Sequence, residues 1–140
     1  LVKNYEKILI EQYIPGKEIQ VAVMNNRALG AIELVPKREF YDYKAKYSSK
    51  AKTKHIMPAD LTPNKYIEVL KLAKKAHEVL GCRGITRSDF RFYQNNFYLL
   101  ETNTQPGMTK LSLVPEIAKY SNISFESLVV WMIKNASINR

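Results

Sequence analysis

One segment constrains the fold of this chain more than any other: an apolar strand pattern that runs into a carboxylate, an amide and a Pro-Gly turn, residues 99–109 (LLETNTQPGMT). Residues two apart on a strand project from the same face, so Glu101 and Asn103 point together. Arg87 and Asp89 have the same spacing upstream. If the Tyr-Gln-Asn-Asn sequence between the two segments is a hairpin turn, all four side chains can share one face of paired antiparallel strands.

Such a hairpin predicts a site for a metal ion and phosphate. Hard cations such as Mg²⁺ or Mn²⁺ take oxygen ligands, so Asp89, Glu101 and Asn103 are the candidate ligands. Glu101 is central because a carboxylate can bridge two ions, whereas an amide completes only one coordination shell. Arg87 offers a planar fork of donors that suits a phosphate or a developing oxyanion.

A simpler interpretation treats these residues as surface groups. Asp89 and Glu101 are then exposed carboxylates of a hairpin, and Arg87 forms an ion pair with Asp89. Such an ion pair could also exist within a functional site, because a neighbouring carboxylate can orient the guanidinium. The apolar neighbours Phe90, Leu99 and Leu100 favour the site. They predict that the carboxylates emerge at the edge of a buried sheet, where an unpaired charge is costly.

The remaining pattern predicts a sheet with helices packed against it. Strands are expected at 7–13, 18–24 and 28–35, and residues 36–57 are expected to be a long loop. A helix begins at Thr62 and Pro63 and ends at Gly81, and a second begins at Ser124. The first helix has an apolar stripe that predicts its buried face: Tyr66, Val69, Leu70, Ala73 and Ala76. His77 is expected at the surface of this helix, and His55 and His77 are too isolated to be metal ligands.

The net charge of +9 has its largest contribution in one basic stretch interleaved with tyrosines. Three interpretations remain open: a nucleic-acid surface, a solvated loop, or a mobile lid with a lysine that closes over nucleotide phosphates. The basic residues of the stretch are Lys37, Arg38, Lys44, Lys46, Lys50, Lys52 and Lys54.

Composition indicates an ordinary globular domain, since 46% of the 140 residues are hydrophobic and 25% are charged. No apolar run approaches the roughly 20 residues that a membrane helix needs, so we expect a soluble protein. The single cysteine, Cys82, cannot form an internal disulfide, which fits the cytoplasm. Because residue 1 is leucine rather than methionine, we expect a piece of a longer protein.

Four separated blocks resemble the D-alanine–D-alanine ligases of the ATP-grasp superfamily. They are 11–18 (EQYIPGKE), 40–47 (FYDYKAKY), 81–89 (GCRGITRSD) and 101–115 (ETNTQPGMTKLSLVP). The resemblance implies an α+β fold, the ATP-grasp C-terminal domain, with a mostly antiparallel sheet and flanking helices. It implies a single domain, 1–140, that lacks the N-terminal substrate domain and most of the small ATP-binding lobe.

The resemblance also implies a role for each site residue. For ATP it implies adenine contacts from Glu11, Gln12, Tyr13 and Ile14, a ribose contact from Glu18, a phosphate contact from Lys46 and a further ATP contact from Phe40. For the reaction it implies Asp89, Glu101 and Asn103 as metal ligands, Arg87 and Gly107 at the tetrahedral intermediate, Tyr47 as a contact to the absent lobe, and Ser112 and Leu113 at the carboxylate of the second D-alanine.

The implied activity is ATP-dependent formation of D-alanyl-D-alanine through an acyl phosphate, for peptidoglycan, in the cytoplasm. Its partners are ATP, D-alanine and the missing N-terminal part, with homodimers common in the family and neither nucleic acid nor membrane involved. Alone, the chain is expected to be inactive. The alternatives are another ATP-grasp carboxylate–amine ligase with a different acceptor pocket, or a basic nucleic-acid-binding module whose affinity falls steeply with salt.

Overall fold

The computed structural model describes residues 7–36 and 53–138, which form a five-stranded antiparallel sheet with helices on both faces. The strand order is β3-β2-β1-β4-β5. The strands are β1 (Lys17–Met24), β2 (Arg27–Val35), β3 (Lys54–Ile56), β4 (Ile85–Tyr93) and β5 (Asn96–Asn103). The predicted α+β class with a mostly antiparallel sheet is confirmed.

The helices are α1 (Pro63–Val79), α2 (Leu113–Tyr120) and α3 (Phe125–Asn135). The hydroxyl of Thr62 caps α1 by accepting from the Lys65 amide at 3.4 Å, and Gly81, at φ +62°, follows the end of the helix. Ser124 caps α3 by accepting from the Ser127 amide at 3.1 Å. Both predicted helix starts are therefore confirmed, because caps depend only on local sequence.

Two apolar clusters hold the helices on opposite faces of the sheet. Residues of β1 alternate between the clusters, so this strand is buried on both sides. The first cluster packs α1 on the sheet and includes Ile19, Val21, Val23, Val69, Ala73 and Phe90. The second packs α2 and α3 and includes Ala22, Ile32, Ile85, Val114, Ile117 and Leu128. Ile85, Arg87 and Asp89 project from the same face of β4, so the polar residues of the hairpin lie on the face of the sheet that α2 and α3 pack against.

One strand prediction was wrong, and one loop prediction was wrong in part. Residues 7–13 have no regular structure, and Ile8, Leu9 and Ile10 are exposed. The apolar pattern of these residues reflects only a local preference for extended backbone, and no strand of the described residues pairs with them. The predicted loop 36–57 contains β3, which pairs with β2 at the edge of the sheet despite its polar sequence. Hydrogen bonding to the edge of β2 outweighs the weak strand propensity of these residues. Residues 37–52 of the predicted loop lie outside the described ranges.

The prediction of a surface position for His77 was also wrong. This side chain is only 3% exposed, and its Nδ1 lies 2.8 Å from the Thr86 hydroxyl on β4. The imidazole therefore joins the last turn of α1 to the first residues of the hairpin. The predicted stripe is otherwise confirmed, with Val69 and Ala73 fully buried and Tyr66 and Leu70 partly buried.

Burial of His77 makes the stability of the fold depend on pH. Burial lowers the pKa of the His77 imidazole, against smaller raising effects from the Glu78 charge and a backbone hydrogen bond at Cys82. The unfolded chain then binds a proton more readily than the folded one, so stability falls as pH drops below about 6.5. We expect His77→Gln to flatten this slope in urea denaturation, whereas Lys75→Gln, an exposed change on α1, leaves it intact. Equal slopes in His77→Gln and wild type would contradict the assignment.

Candidate functional site

The predicted hairpin is formed by β4 and β5, with Gln94 and Asn95 in the left-handed region at its turn. In the register of the two strands, Arg87 lies opposite Asn103 and Asp89 lies opposite Glu101. Residues directly opposite each other in an antiparallel pair share a face. The structure therefore brings the four side chains together on one face, the arrangement that the sequence left possible.

A bulge in β5 interrupts this pairing beside the carboxylates. Phe90 pairs with Leu99 while Asp89 pairs with Glu101, so Leu100 is the extra residue of β5. Bulges increase the local twist of a strand and change the direction of neighbouring side chains. The position of Glu101 thus depends on a register feature that the sequence pattern did not reveal.

Arg87 connects the two carboxylates of the hairpin. Its Nε donates to Asp89 Oδ1 at 2.7 Å and its Nη2 to Asp89 Oδ2 at 2.8 Å, while Nη2 lies 3.8 Å from Glu101 Oε1. The side chains of Arg87 and Asp89 are each 14% exposed, whereas that of Glu101 is 62% exposed. The ion pair between Arg87 and Asp89, one of the two interpretations of these residues, therefore exists. Glu101 remains accessible beside it.

Electrostatics keep the guanidinium charged. Burial alone lowers the pKa of Arg87, but hydrogen bonds and charge from Asp89, followed by the charges of Glu101 and Glu18, outweigh it and raise the pKa. A fixed, charged fork of donors in a partly buried position suits a phosphate or an oxyanion.

The donor chemistry of the hairpin fits a magnesium ion. Asp89 and Glu101 supply carboxylate oxygens, and the Asn103 amide oxygen is held in place by accepting from the Gln105 amide at 2.9 Å. Within residues 7–36 and 53–138, no three His, Cys, Asp or Glu side chains gather as a metal site. Two carboxylates and an amide leave coordination positions for phosphate oxygens and water, which is how Mg²⁺ is commonly held beside nucleotides.

The apolar flanks of the carboxylates are less buried than predicted. Phe90 lies in the core, but Leu99 and Leu100 are each about half exposed. The reason is that β5 is the outermost strand on its side of the described sheet. Apolar side chains at the edge strand of the described sheet are exposed for contact with a ligand or another protein segment.

The loop after β5 brings Gly107 next to Ser112. A Cβ on residue 107 would lie 3.0 Å from Ser112 Oγ, so a side chain there would crowd the hydroxyl. Ser112 Oγ accepts from the Thr109 amide at 3.0 Å and lies 2.8 Å from the Thr109 hydroxyl. Since Leu113 is the first residue of α2, the residues predicted for acceptor binding lie together at the start of that helix.

The residues predicted for the nucleoside lie at the start of β1 and in the segment before it. Glu18 is partly buried on β1, opposite Arg91, while Glu11, Gln12 and Tyr13 are exposed and Ile14 is half-buried. A cleft of about 1000 Å³ has Tyr13, Glu18 and Arg91 among its lining residues. Phe40, Lys46 and Tyr47 lie outside the described residues, so their roles remain predictions.

Two polar residues near Glu18 were not singled out from the sequence. Gln20 is buried beside Asp89 in the sheet, and Arg91 contacts both Glu18 and Gly16. Strand alternation alone could have placed Gln20 on the face of Glu18 and Arg91 on that of Asp89.

Neither a disulfide nor a membrane span contributes to the described structure. Cys82 is a free, half-buried thiol. In the parts of the chain that the structure describes, no helix is long and apolar enough to cross a membrane. Of the basic stretch noted in the sequence, only Lys54 belongs to the described residues.

Comparison with known families gives a match over nearly the whole chain. The family described as "D-ala D-ala ligase C-terminus" matches residues 1–134. The D-alanine–D-alanine ligase of Pelagibacter ubique is 62% identical over 140 residues, which are 100% of this chain and 46% of that protein. The ligase of Rhodopseudomonas palustris is 49% identical over 96% of this chain and 45% of its own length. The chain thus spans about half the length of these relatives.

Solved structures with the same fold are ligases too. A Bacillus anthracis D-alanine–D-alanine ligase complexed with ATP aligns with a TM-score of 0.74 and 26% identity, over 89% of this chain and 39% of its own. The VanG D-Ala:D-Ser ligase of Enterococcus faecalis aligns with a TM-score of 0.74 and 27% identity, over 88% of this chain and 37% of its own. The likeness therefore includes ligases with different named products.

Proposed function

The chain belongs to the D-alanine–D-alanine ligase C-terminus family, and from that premise we propose that it carries the magnesium, phosphate and acceptor residues of an ATP-dependent ligase. The observation that carries the proposal is the hairpin face on which Arg87 contacts Asp89 and lies beside Glu101. The ligase joins two D-alanines to D-alanyl-D-alanine for peptidoglycan. We place it in the cytoplasm, since a lone cysteine fits a reducing compartment.

ATP is needed because a carboxylate anion is a poor electrophile. A carboxylate oxygen of the first D-alanine attacks the γ-phosphorus of ATP, and ADP leaves. The neutral amine of the second D-alanine then attacks the carbonyl carbon of the acyl phosphate, its nitrogen loses a proton, and inorganic phosphate leaves with the former carboxylate oxygen. Each step builds negative charge on oxygens, which fixed donors in a dry site stabilise.

The chain's own residues divide this work between them. Arg87 and the Gly107 amide donate to the oxygen that becomes negative when the amine attacks, and Ser112 and Leu113 hold the carboxylate of the second D-alanine. When bound, Mg²⁺ or Mn²⁺ neutralises phosphate charge, with Asp89, Glu101 and Asn103 as the residues that would hold it.

The nucleoside half of ATP is assigned to the segment before β1 and to the start of that strand. Glu18 accepts from the ribose hydroxyls, and Lys46 approaches the phosphates. Tyr47 is assigned a contact with the N-terminal part of the ligase, which would complete the ATP site and bind the first D-alanine. The adenine contacts are assigned to Glu11, Gln12, Tyr13 and Ile14, and a further ATP contact is assigned to Phe40.

A ligase with another acceptor is the second candidate. It is favoured by the structural likeness to a D-Ala:D-Ser ligase, whose TM-score of 0.74 equals that of the ATP-complexed Bacillus anthracis ligase. Such an enzyme keeps the hairpin and the same ATP chemistry, and differs near Ser112 and Leu113. A screen of acceptor amino acids separates the two candidates.

The test uses a joined ligase, defined as this chain fused behind the part of the Pelagibacter ubique ligase that lies outside the matched residues. With ATP, Mg²⁺ and D-alanine, we expect ADP release and D-alanyl-D-alanine formation, with less product when D-serine is offered as acceptor. The chain alone should form no dipeptide. Robust ligation by the chain alone, or ADP release by the joined ligase without any dipeptide, would overturn the proposal.

A further inference from the structure

Two side chains hold the Glu18 carboxylate, one on each of its oxygens. Gln20 Nε2 donates to Glu18 Oε1 at 3.2 Å, and Arg91 Nη2 lies 3.8 Å from Glu18 Oε2. The same guanidinium donates through Nη1 to the Gly16 carbonyl at 3.2 Å. Because partners on both sides restrict its rotation, the carboxylate is oriented before any ligand binds.

Gln20 is an unusual residue for its position in the sheet. It is 5% exposed and lies between Ile32 on β2 and Asp89 on β4. Its Nε2 donates to Glu18, but its Oε1 is buried without a hydrogen-bond partner among the described residues. The amide cannot rotate to exchange the two atoms, since Oε1 would then face a carboxylate oxygen.

An apolar side chain at this buried position would cost less folding free energy than the glutamine amide. Leaving a buried carbonyl oxygen without a donor is unfavourable, and removing the polar group altogether can be neutral or stabilising. Methionine has the length of glutamine and no strong hydrogen-bonding group. Fold stability therefore does not explain why residue 20 carries an amide, whereas the hydrogen bond of that amide to Glu18 does.

We propose that Gln20, assisted by Arg91, is a positioning residue that orients Glu18 toward the ribose hydroxyls of ATP. This rests on the proposed function, in which Glu18 accepts from the ribose. Gln20 then acts through Glu18 and needs no contact with ATP itself. Loss of the amide leaves the carboxylate free to rotate, so the ligase discriminates less between ATP and nucleotides that lack a ribose hydroxyl.

The test is nucleotide selectivity in the joined ligase, measured with ATP, 2′-deoxy-ATP and 3′-deoxy-ATP. We expect Gln20→Met to raise the KM for ATP about tenfold, which corresponds to the loss of one oriented hydrogen bond to a charged group, with kcat at saturating ATP nearly unchanged. The preference for ATP over at least one deoxynucleotide should fall by a similar factor. The melting temperature of Gln20→Met should not decrease.

Arg91→Lys is the second variant, because lysine keeps the charge but cannot reach Gly16 and Glu18 with two nitrogens. It should lower the same preference, so the inference stays testable if Gln20→Met fails to fold. Lys71→Met, an exposed change on α1, is the control and should match wild type.

The possible results separate two failures. Unchanged nucleotide preference in Gln20→Met, or a wild-type joined ligase that uses all three nucleotides equally, overturns the positioning role while ligation stands. A joined ligase that folds but releases no ADP overturns the proposed function, and the inference with it.

Discussion

Replacing Arg87 with lysine should lower the kcat of the joined ligase by about 10²- to 10³-fold, the usual effect of removing one oxyanion donor. Lysine keeps the positive charge but cannot donate to both oxygens of Asp89 at once, as Arg87 does at 2.7 and 2.8 Å. The donor that we propose for the reacting oxygen is therefore lost together with the contact to Asp89 that holds it in place. Steady-state kinetics with varied ATP and D-alanine measure the effect.

The KM for ATP should change less than kcat in this variant, because the contact strengthens as the oxyanion forms. Arg83→Lys is the matched control, since Arg83 is exposed and lies outside the hairpin face. If Arg87→Lys turned over as fast as the control, the role assigned to Arg87 would be wrong.

The second large effect is expected from Asp89→Asn, which keeps the shape of the side chain and removes its charge. Arg87 loses its main counter-charge at a position where both side chains are 14% exposed. We expect the free energy of unfolding of the 140-residue chain to fall by about 1–3 kcal/mol, as when a partly buried charged partner is removed. Urea denaturation of the chain measures this loss.

The same variant should lose most ligase activity, because a proposed metal ligand loses its charge. We expect a fall of about 10²-fold or more in kcat/KM for ATP at limiting Mg²⁺. Asp60→Asn is the control, since the Asp60 carboxylate pairs with Lys17 at 2.8 Å but is 78% exposed, and exposed pairs contribute little. Equal stability and equal Mg²⁺ dependence in the two variants would contradict the account of Asp89.

The hairpin could be predicted from the sequence because its determinants are local. Spacing places Arg87 with Asp89 and Glu101 with Asn103, and the polar turn predicts the hairpin. The two pairs share one face only because the bulge at Leu100 shifts the register by one residue, which the sequence did not show. The starts of α1 and α3 were predictable for the same reason, since a capping hydroxyl acts within one helical turn.

Features that depend on distant partners were not predictable in this way. His77 is buried because β4 places the Thr86 hydroxyl against it. Residues 7–13 have a strand pattern without a strand partner in the described sheet, and β3 has a partner without a strand pattern. Local strand propensity alone therefore determines neither whether residues 7–13 pair nor whether β3 forms.

In the candidate site, the same limit applies to the residues that support Glu18 and Glu101. The contact of Gln20 with Glu18 depends on rotamers, and the bulge at Leu100 depends on how β4 and β5 pair. The residue types were visible in the sequence, but their contacts required the register. The roles of Phe40, Lys46 and Tyr47 stay predictions.

The most direct test of the central claim is a calorimetric titration of the joined ligase with ATP, with and without Mg²⁺ and without D-alanine. Wild type and Glu68→Ala, which removes a partly exposed carboxylate of α1 that pairs with Lys65, should bind ATP with an affinity that rises with Mg²⁺. Glu101→Ala should lose that rise, because the most accessible carboxylate of the hairpin is gone. If Mg²⁺ strengthened ATP binding by Glu101→Ala as much as by wild type, the hairpin would not be the metal-nucleotide site.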